Sequence, residues 1–265
     1  MLLPWIARAP RGMSIAEARL AGIVPPEGWV APRRDRVRDA ARTAGVLARL
    51  LARMAIDARR AVPTGDTTTP AGLAALQRAL AASARRLRII VEVTGAERVP
   101  RDGGVVFMWN QTSHLDHLVL PLALPRPFHS LYNNEIRRFP IYGAYIARAD
   151  HFWIDRTDEA QWRRQIAIAA ERVNAGACVL VSPEGTRSWD GRLLPMKRGA
   201  FLLARLAERP IVCATIRGAR ELLPRGRLAV RPGAIAVELS DPIPVRAPAP
   251  DLESRVVATF QAALG

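Results

Sequence analysis

The spacing of apolar positions changes several times along this chain, and the changes divide it. Over residues 1–32 isolated apolar residues are scattered among Pro4, Pro10, Pro25, Pro26 and Pro32. Proline fixes φ and removes a backbone donor, so an irregular arm is predicted there. From Val37 the steps become three and four: Val37, Ala40, Ala44, Leu47, Leu51, Met54 and Ala58 form one helical stripe, with Arg38, Arg42, Arg49, Arg53 and Arg60 near the opposite side. This predicts a basic amphipathic helix. Its stripe has two readings: packing on the core with solvated arginines outside, or lying in a lipid headgroup layer with the arginines on anionic lipid. The run V-P-T-G-D-T-T-T-P at 62–70 predicts a loop and linker, and Leu73, Leu76, Leu80, Ala84 and Leu87 a second helix.

Beyond residue 88 alternation and short continuous apolar runs take over. Strands are predicted at Ile89–Thr94, Val105–Trp109, around Phe152, at Cys178–Val181 and at Ile211–Ile216, with alternating segments at Leu228–Val230 and Ile235–Leu239. Between them lie helices after Thr112 or Ser113, after Asp158, from Gly199 to Glu208, and from Pro250 to Ala263. Strands alternating with helices imply an α/β fold, a mixed central sheet flanked by helices over residues 71–265. Residues 1–70, the Pro-rich arm and the basic helix, form an N-terminal helical extension.

Composition adds charge to this picture. Among 265 residues, 39 Lys and Arg against 24 Asp and Glu give +15, which favours an anionic partner such as a phospholipid surface, a nucleic acid or a phosphorylated substrate. No aromatic-interleaved basic motif or zinc-finger pattern supports nucleic acid. Cys178 and Cys213 sit in apolar runs and read as buried thiols of a reducing compartment, without metal-ligand spacing. No run approaches the roughly 18 apolar residues that span a bilayer, and the first ten residues are too quickly broken by Pro and Arg for a signal peptide. A cytoplasmic protein is expected, peripheral on the inner face of the cell membrane.

Three polar clusters follow predicted strands: N-Q-T-S-H-L-D at 110–116, Asp155-Arg156, and S-P-E-G-T-R-S at 182–188, with Lys197 and Arg198 soon after. In open α/β sheets such strand ends converge on one crevice. Glu184, Gly185, Thr186 and Arg187 combine a backbone able to approach a ligand, a hydroxyl and an arginine fork suited to phosphate.

In these blocks the chain resembles the glycerolipid acyltransferases of the lysophosphatidic acid acyltransferase type. Four ordered segments carry the likeness: N-Q-T-S-H-L-D at 110–116, F-W-I-D-R at 152–156, S-P-E-G-T-R-S at 182–188, and R-P-I-V-C-A-T at 209–215 after K-R-G-A-F at 197–201. The resemblance implies transfer of a fatty acyl group from acyl-CoA or acyl carrier protein to a lysophospholipid or related glycerol-type hydroxyl at an anionic membrane surface, with no bound cofactor and no metal. Arg156, Glu184, Gly185, Thr186, Arg187 and Lys197 are the implied headgroup contacts, with backbone amides near the helix start stabilising the oxyanion. The family's base is a His five residues before the Asp; here Asp116 matches the Asp and Gln111 occupies the His position. A neutral amide does not accept a proton at working pH. His114, nearly one turn on, is the candidate substitute base; His117, His129 and His151 read as packing residues. A catalytically silent lipid- or acyl-thioester-binding homologue is the alternative.

Overall fold

A computed structural model of the chain describes residues 14–20, 25–27, 37–57, 66–139, 141–246 and 249–265. Most of the Pro-rich arm and residues 62–65 of the 62–70 loop lie outside these residues, as do Ala58 and Arg60. The described part begins with helices α1 (Ile15–Leu20), α2 (Val37–Asp57) and α3 (Pro70–Leu87). Strands β1 (Ile89–Thr94) and β2 (Val105–Trp109) follow, then α4 (Asp116–Ala123), β3 (Phe128–Asn133), α5 (Tyr142–Ile146) and β4 (Phe152–Ile154). The remainder comprises α6 (Glu159–Asn174), β5 (Cys178–Val181), α7 (Arg198–Ala207), β6 (Ile211–Arg217), α8 (Ala219–Leu222), β7 (Gly233–Leu239) and α9 (Leu252–Leu264).

The strands form one seven-stranded sheet in the order β1-β7-β6-β2-β5-β3-β4, parallel throughout except for the antiparallel β6–β7 pair. It is the mixed, helix-flanked sheet expected. β2 and β5 are buried along their whole length, which is why both are continuous apolar runs: side chains alternate between faces and both faces are covered. Phe107, Trp109 and Leu180 join the core beneath α3 and α4, while Val106, Met108 and Val181 join Ile166, Phe201 and Phe260 beneath α6, α7 and α9.

Helix ends follow local chemistry where a side chain supplies it. Asp158 caps α6 by accepting from Gln161 N at 3.0 Å, and Thr69 Oγ1 caps α3 by accepting from Gly72 N at 3.1 Å. Elsewhere the structure differs from the pattern. β3 is a strand that the run F-H-S-L-Y-N does not announce, because its polar Ser130 and Tyr132 face a cavity rather than solvent. Leu228–Val230 is no strand; the Val230 amide donates to Thr43 Oγ1 of α2 at 2.9 Å. The helix after the 110–116 segment starts at Asp116, with no side-chain cap at Leu115; Ser113 Oγ instead accepts from Leu115 N at 3.1 Å and donates to Leu223 O at 2.9 Å.

α2 packs against α3 and α5, but by only part of the expected stripe. Asp39, Val46 and the partly buried Leu50 and Met54 face inward, while Val37 is 86% exposed and Leu47 53%. The packed line Asp39, Thr43, Val46, Leu50 is rotated from the Val37–Leu47 line, and an Asp39–Arg42 ion pair of 2.8 Å explains how a carboxylate sits on the buried side.

Candidate active site

The site forms where β2 ends. Trp109 is paired with Ala214 of β6, and there the β2 backbone leaves the sheet. Asn110 continues the ladder with its side chain: Oδ1 accepts from Ile216 N at 2.7 Å and Nδ2 donates to Ile216 O at 3.0 Å. The carboxamide thus replaces the next strand residue, and the backbone from Gln111 onward is free to turn.

That turn is held from both sides. Gln111 N donates to Glu184 Oε1 at 2.7 Å, Leu194 N donates to Glu184 Oε2 at 2.7 Å, and Ser188 N donates to Gln111 O at 2.8 Å. Glu184 is 1% exposed, and burial raises its pKa to about 7 against the lowering effect of the two amides. The expectation that Glu184 contacts a headgroup meets a carboxylate already bound to two backbone amides; its part is to join the 110–116 and 182–194 loops. Thr186 lies outside the cavity lining.

Asp116 is fully buried. Its Oδ2 accepts from Thr112 N at 2.9 Å and Ser113 N at 3.0 Å, while Oδ1 has no partner. Burial raises its pKa to about 7, with the two amides and Arg187 acting the other way. In consequence the amides of Gln111, Thr112, Ser113 and Leu115 are all engaged, and the helix start does not offer them to an oxyanion. His114 is exposed on the cavity, and no hydrogen bond joins it to Asp116 among the described residues. Desolvation, then Arg187, His117 and Arg225, push its pKa down to about 3. His117 packs edge-on to Trp109, with ring centroids 6.3 Å apart.

The cationic side of the cavity assembles as the strand-end rule predicts. Arg156, Gly185, Arg187 and Lys197 line one cavity with Gln111 and His114. Arg156 Nη2 donates to Gly185 O at 2.7 Å, and Lys197 N to Pro183 O at 2.7 Å. Gly185 has φ +66°, and a Cβ there would stand 3.1 Å from Lys197 Cδ, so glycine permits both the turn and the approach of the lysine. Burial and then the neighbouring Arg156 cation lower the pKa of Lys197. Two residues carry no motif yet shape this wall. Arg225, 6% exposed, donates Nη1 to Arg187 O at 2.7 Å and lies 4.2 Å from the Trp189 ring centroid. Arg225 lies far outside the ordered blocks, so local spacing has no signal for it. From the cationic mouth the cavity, roughly 1640 Å³, runs into an apolar chamber walled by α2, α3 and α4.

Comparison with known proteins agrees with this arrangement. Residues 90–217 match the family model described as Acyltransferase. A 1-acyl-sn-glycerol-3-phosphate acyltransferase of Chlamydomonas reinhardtii is 32% identical over 156 residues, 58% of this chain and 47% of that protein. One from Cocos nucifera is 30% identical over 139 residues, 52% of this chain and 45% of that one. The chain spans about half the length of the curated relatives it matches. In fold it is similar to the crystal structure of the 1-acyl-sn-glycerophosphate acyltransferase from Thermotoga maritima, with a TM-score of 0.68 at 19% identity, over 86% of this chain and 94% of that one. The region that matches the Acyltransferase family model, residues 90–217, contains β2, the Asp116 turn, Arg156, the Glu184 loop and Lys197.

Proposed function

We propose that the protein moves a fatty acyl group from acyl-CoA or acyl carrier protein to the hydroxyl of a lysophospholipid or related glycerol-type acceptor at an anionic membrane surface. One observation carries this reading: a single cavity joins a cationic mouth, Arg156, Arg187 and Lys197, to an apolar chamber of amphiphile dimensions. In the reaction the acceptor oxygen attacks the thioester carbonyl, its proton passes to a base, and the thiol leaves. Arg187 and Lys197 hold the anionic headgroup, and Asp116 fixes the turn that presents residue 111. Among the described residues no helix is long and apolar enough to cross a membrane. The exposed Val37 and Leu47 of α2, with arginines beside them, support docking on the inner face of the cell membrane.

A second reading, a silent lipid- or acyl-thioester-binding protein, is favoured by Gln111 and by the unpartnered Asp116 Oδ1. The two separate in one assay. Acyl-CoA and lysophosphatidic acid are supplied to the wild type and to Gln111→His, and acylated product and lysophosphatidate binding are measured. Equal turnover in both proteins supports transfer by another base. A gain of about 10²–10⁴ in the variant marks a crevice that lacks only its base and binds in the wild type. Neither turnover nor binding in either protein removes both readings.

A further inference from the structure

The chamber is not lined by hydrocarbon alone. Ser130 and Tyr132 of β3, Tyr142 of α5 and His151 all line it. Strand alternation places Ser130 and Tyr132 on the same sheet face as Leu180 and Trp109, which line the same cavity between the collar and Gln111. The four polar side chains are arranged on one another. The Ser130 amide donates to His151 Nδ1 at 3.2 Å, so in the neutral ring the proton sits on Nε2. Burial, against the opposing charge of Asp66, lowers the pKa of His151 to about 4, which keeps that ring neutral. The Tyr132 ring meets the His151 ring edge-on at 5.2 Å. Tyr132 and Tyr142 pack against the same cluster of Tyr145, Ile146 and Trp153.

This collar stands at a definite level. Register carries Trp109 and Tyr132 to the same level, two strands and so about 10 Å apart by strand spacing, and both line the cavity. A saturated chain that reaches the collar strips water from the phenols and the imidazole and returns no hydrogen bond, whereas a hydroxyl at that level both donates and accepts. We propose that the collar of Ser130, Tyr132, Tyr142 and His151 receives a hydroxyl carried in mid-chain by an acyl ligand. The inference rests on the acyl-ligand reading above, and its chemistry is the same whether the chain belongs to the donor or to the acceptor.

The test is calorimetric titration of the full chain below micellar concentrations. One arm compares stearoyl-CoA with a mid-chain hydroxystearoyl-CoA; the other compares lysophosphatidates carrying the same two chains. The hydroxylated ligand binds about fivefold to tenfold tighter in one arm, which identifies whose chain the chamber holds. Tyr132→Phe and His151→Phe, checked for native melting, bring that ratio to about one. Equal or weaker binding of the hydroxylated ligand in both arms overturns the collar alone, as does a preference that survives both variants. If no ligand of either kind binds in either arm, the acyl-ligand reading falls and the collar with it.

Discussion

Asn110 offers the sharpest test of how this site is built. Its carboxamide stands in for a strand residue, satisfying both Ile216 N at 2.7 Å and Ile216 O at 3.0 Å, at 1% exposure. Asn110→Ala removes both bonds and leaves a buried amide and a buried carbonyl without partners. Each orphaned neutral group costs about 1–3 kcal/mol, so a total loss of about 2–6 kcal/mol is expected. For a chain of this size that lowers Tm by roughly 4 °C or more. In urea unfolding the midpoint falls with the slope unchanged, because the area exposed on unfolding is the same. Asn110→Asp keeps an acceptor for Ile216 N but sets an oxygen against Ile216 O, and it costs at least as much as the alanine. A loss below about 1 kcal/mol in the alanine variant would falsify the substitute-strand role of this side chain, since water has no access to replace the carboxamide there.

Stability should pass through a maximum near neutral pH. Asp116 and Glu184 have folded pKa values raised to about 7, so their contribution is full below 3.8 and 4.5 and is lost as pH rises through about 7. His114, His117 and His151 are lowered from 6.5 to about 3, 4 and 4, so theirs is present above 6.5 and is lost as pH falls below it. Asp116→Asn removes one carboxyl proton from the folded side of this balance, so melting curves against pH should show a steeper acid limb and a maximum at higher pH; an unmoved maximum refutes the assignment. On α2, changing the exposed Val37 and Leu47 to Gln should weaken binding to anionic vesicles severalfold with little change in Tm, whereas Val46→Ala, at 5% exposure, should cost about 2 kcal/mol and leave vesicle binding intact. Vesicle binding that ignores the first pair and follows the second would assign lipid contact to the wrong face.

Local chemistry made much of the molecule legible in advance. Continuous apolar runs marked β2 and β5 because both of their faces are buried, and Asp158 marked the start of α6 because a cap is a bond between near neighbours. The three polar clusters could be assigned to one crevice because a parallel sheet gathers its strand ends. Other features were hidden for the opposite reason. β3 carries polar residues on the face where a core strand has apolar ones, and only the cavity beside it accounts for them. The α2 stripe was sound as a period but did not say which side meets α3 and α5, since Asp39 is acceptable inward only with Arg42 beside it.

What the sequence by itself determined was the α/β order, the placement of the motifs at strand ends, and the identity of residue 111 as a neutral amide. These follow from periodicity, caps and residue chemistry, which act over a few positions. The tertiary structure alone decided that Glu184 joins two loops by their amides, that Asp116 keeps an acceptor oxygen unpartnered among the described residues, that Arg225 braces the Arg187 carbonyl, and that polar side chains line part of the chamber. Each of these depends on groups tens of residues apart in the chain, and only the sheet register brings them within hydrogen-bond distance.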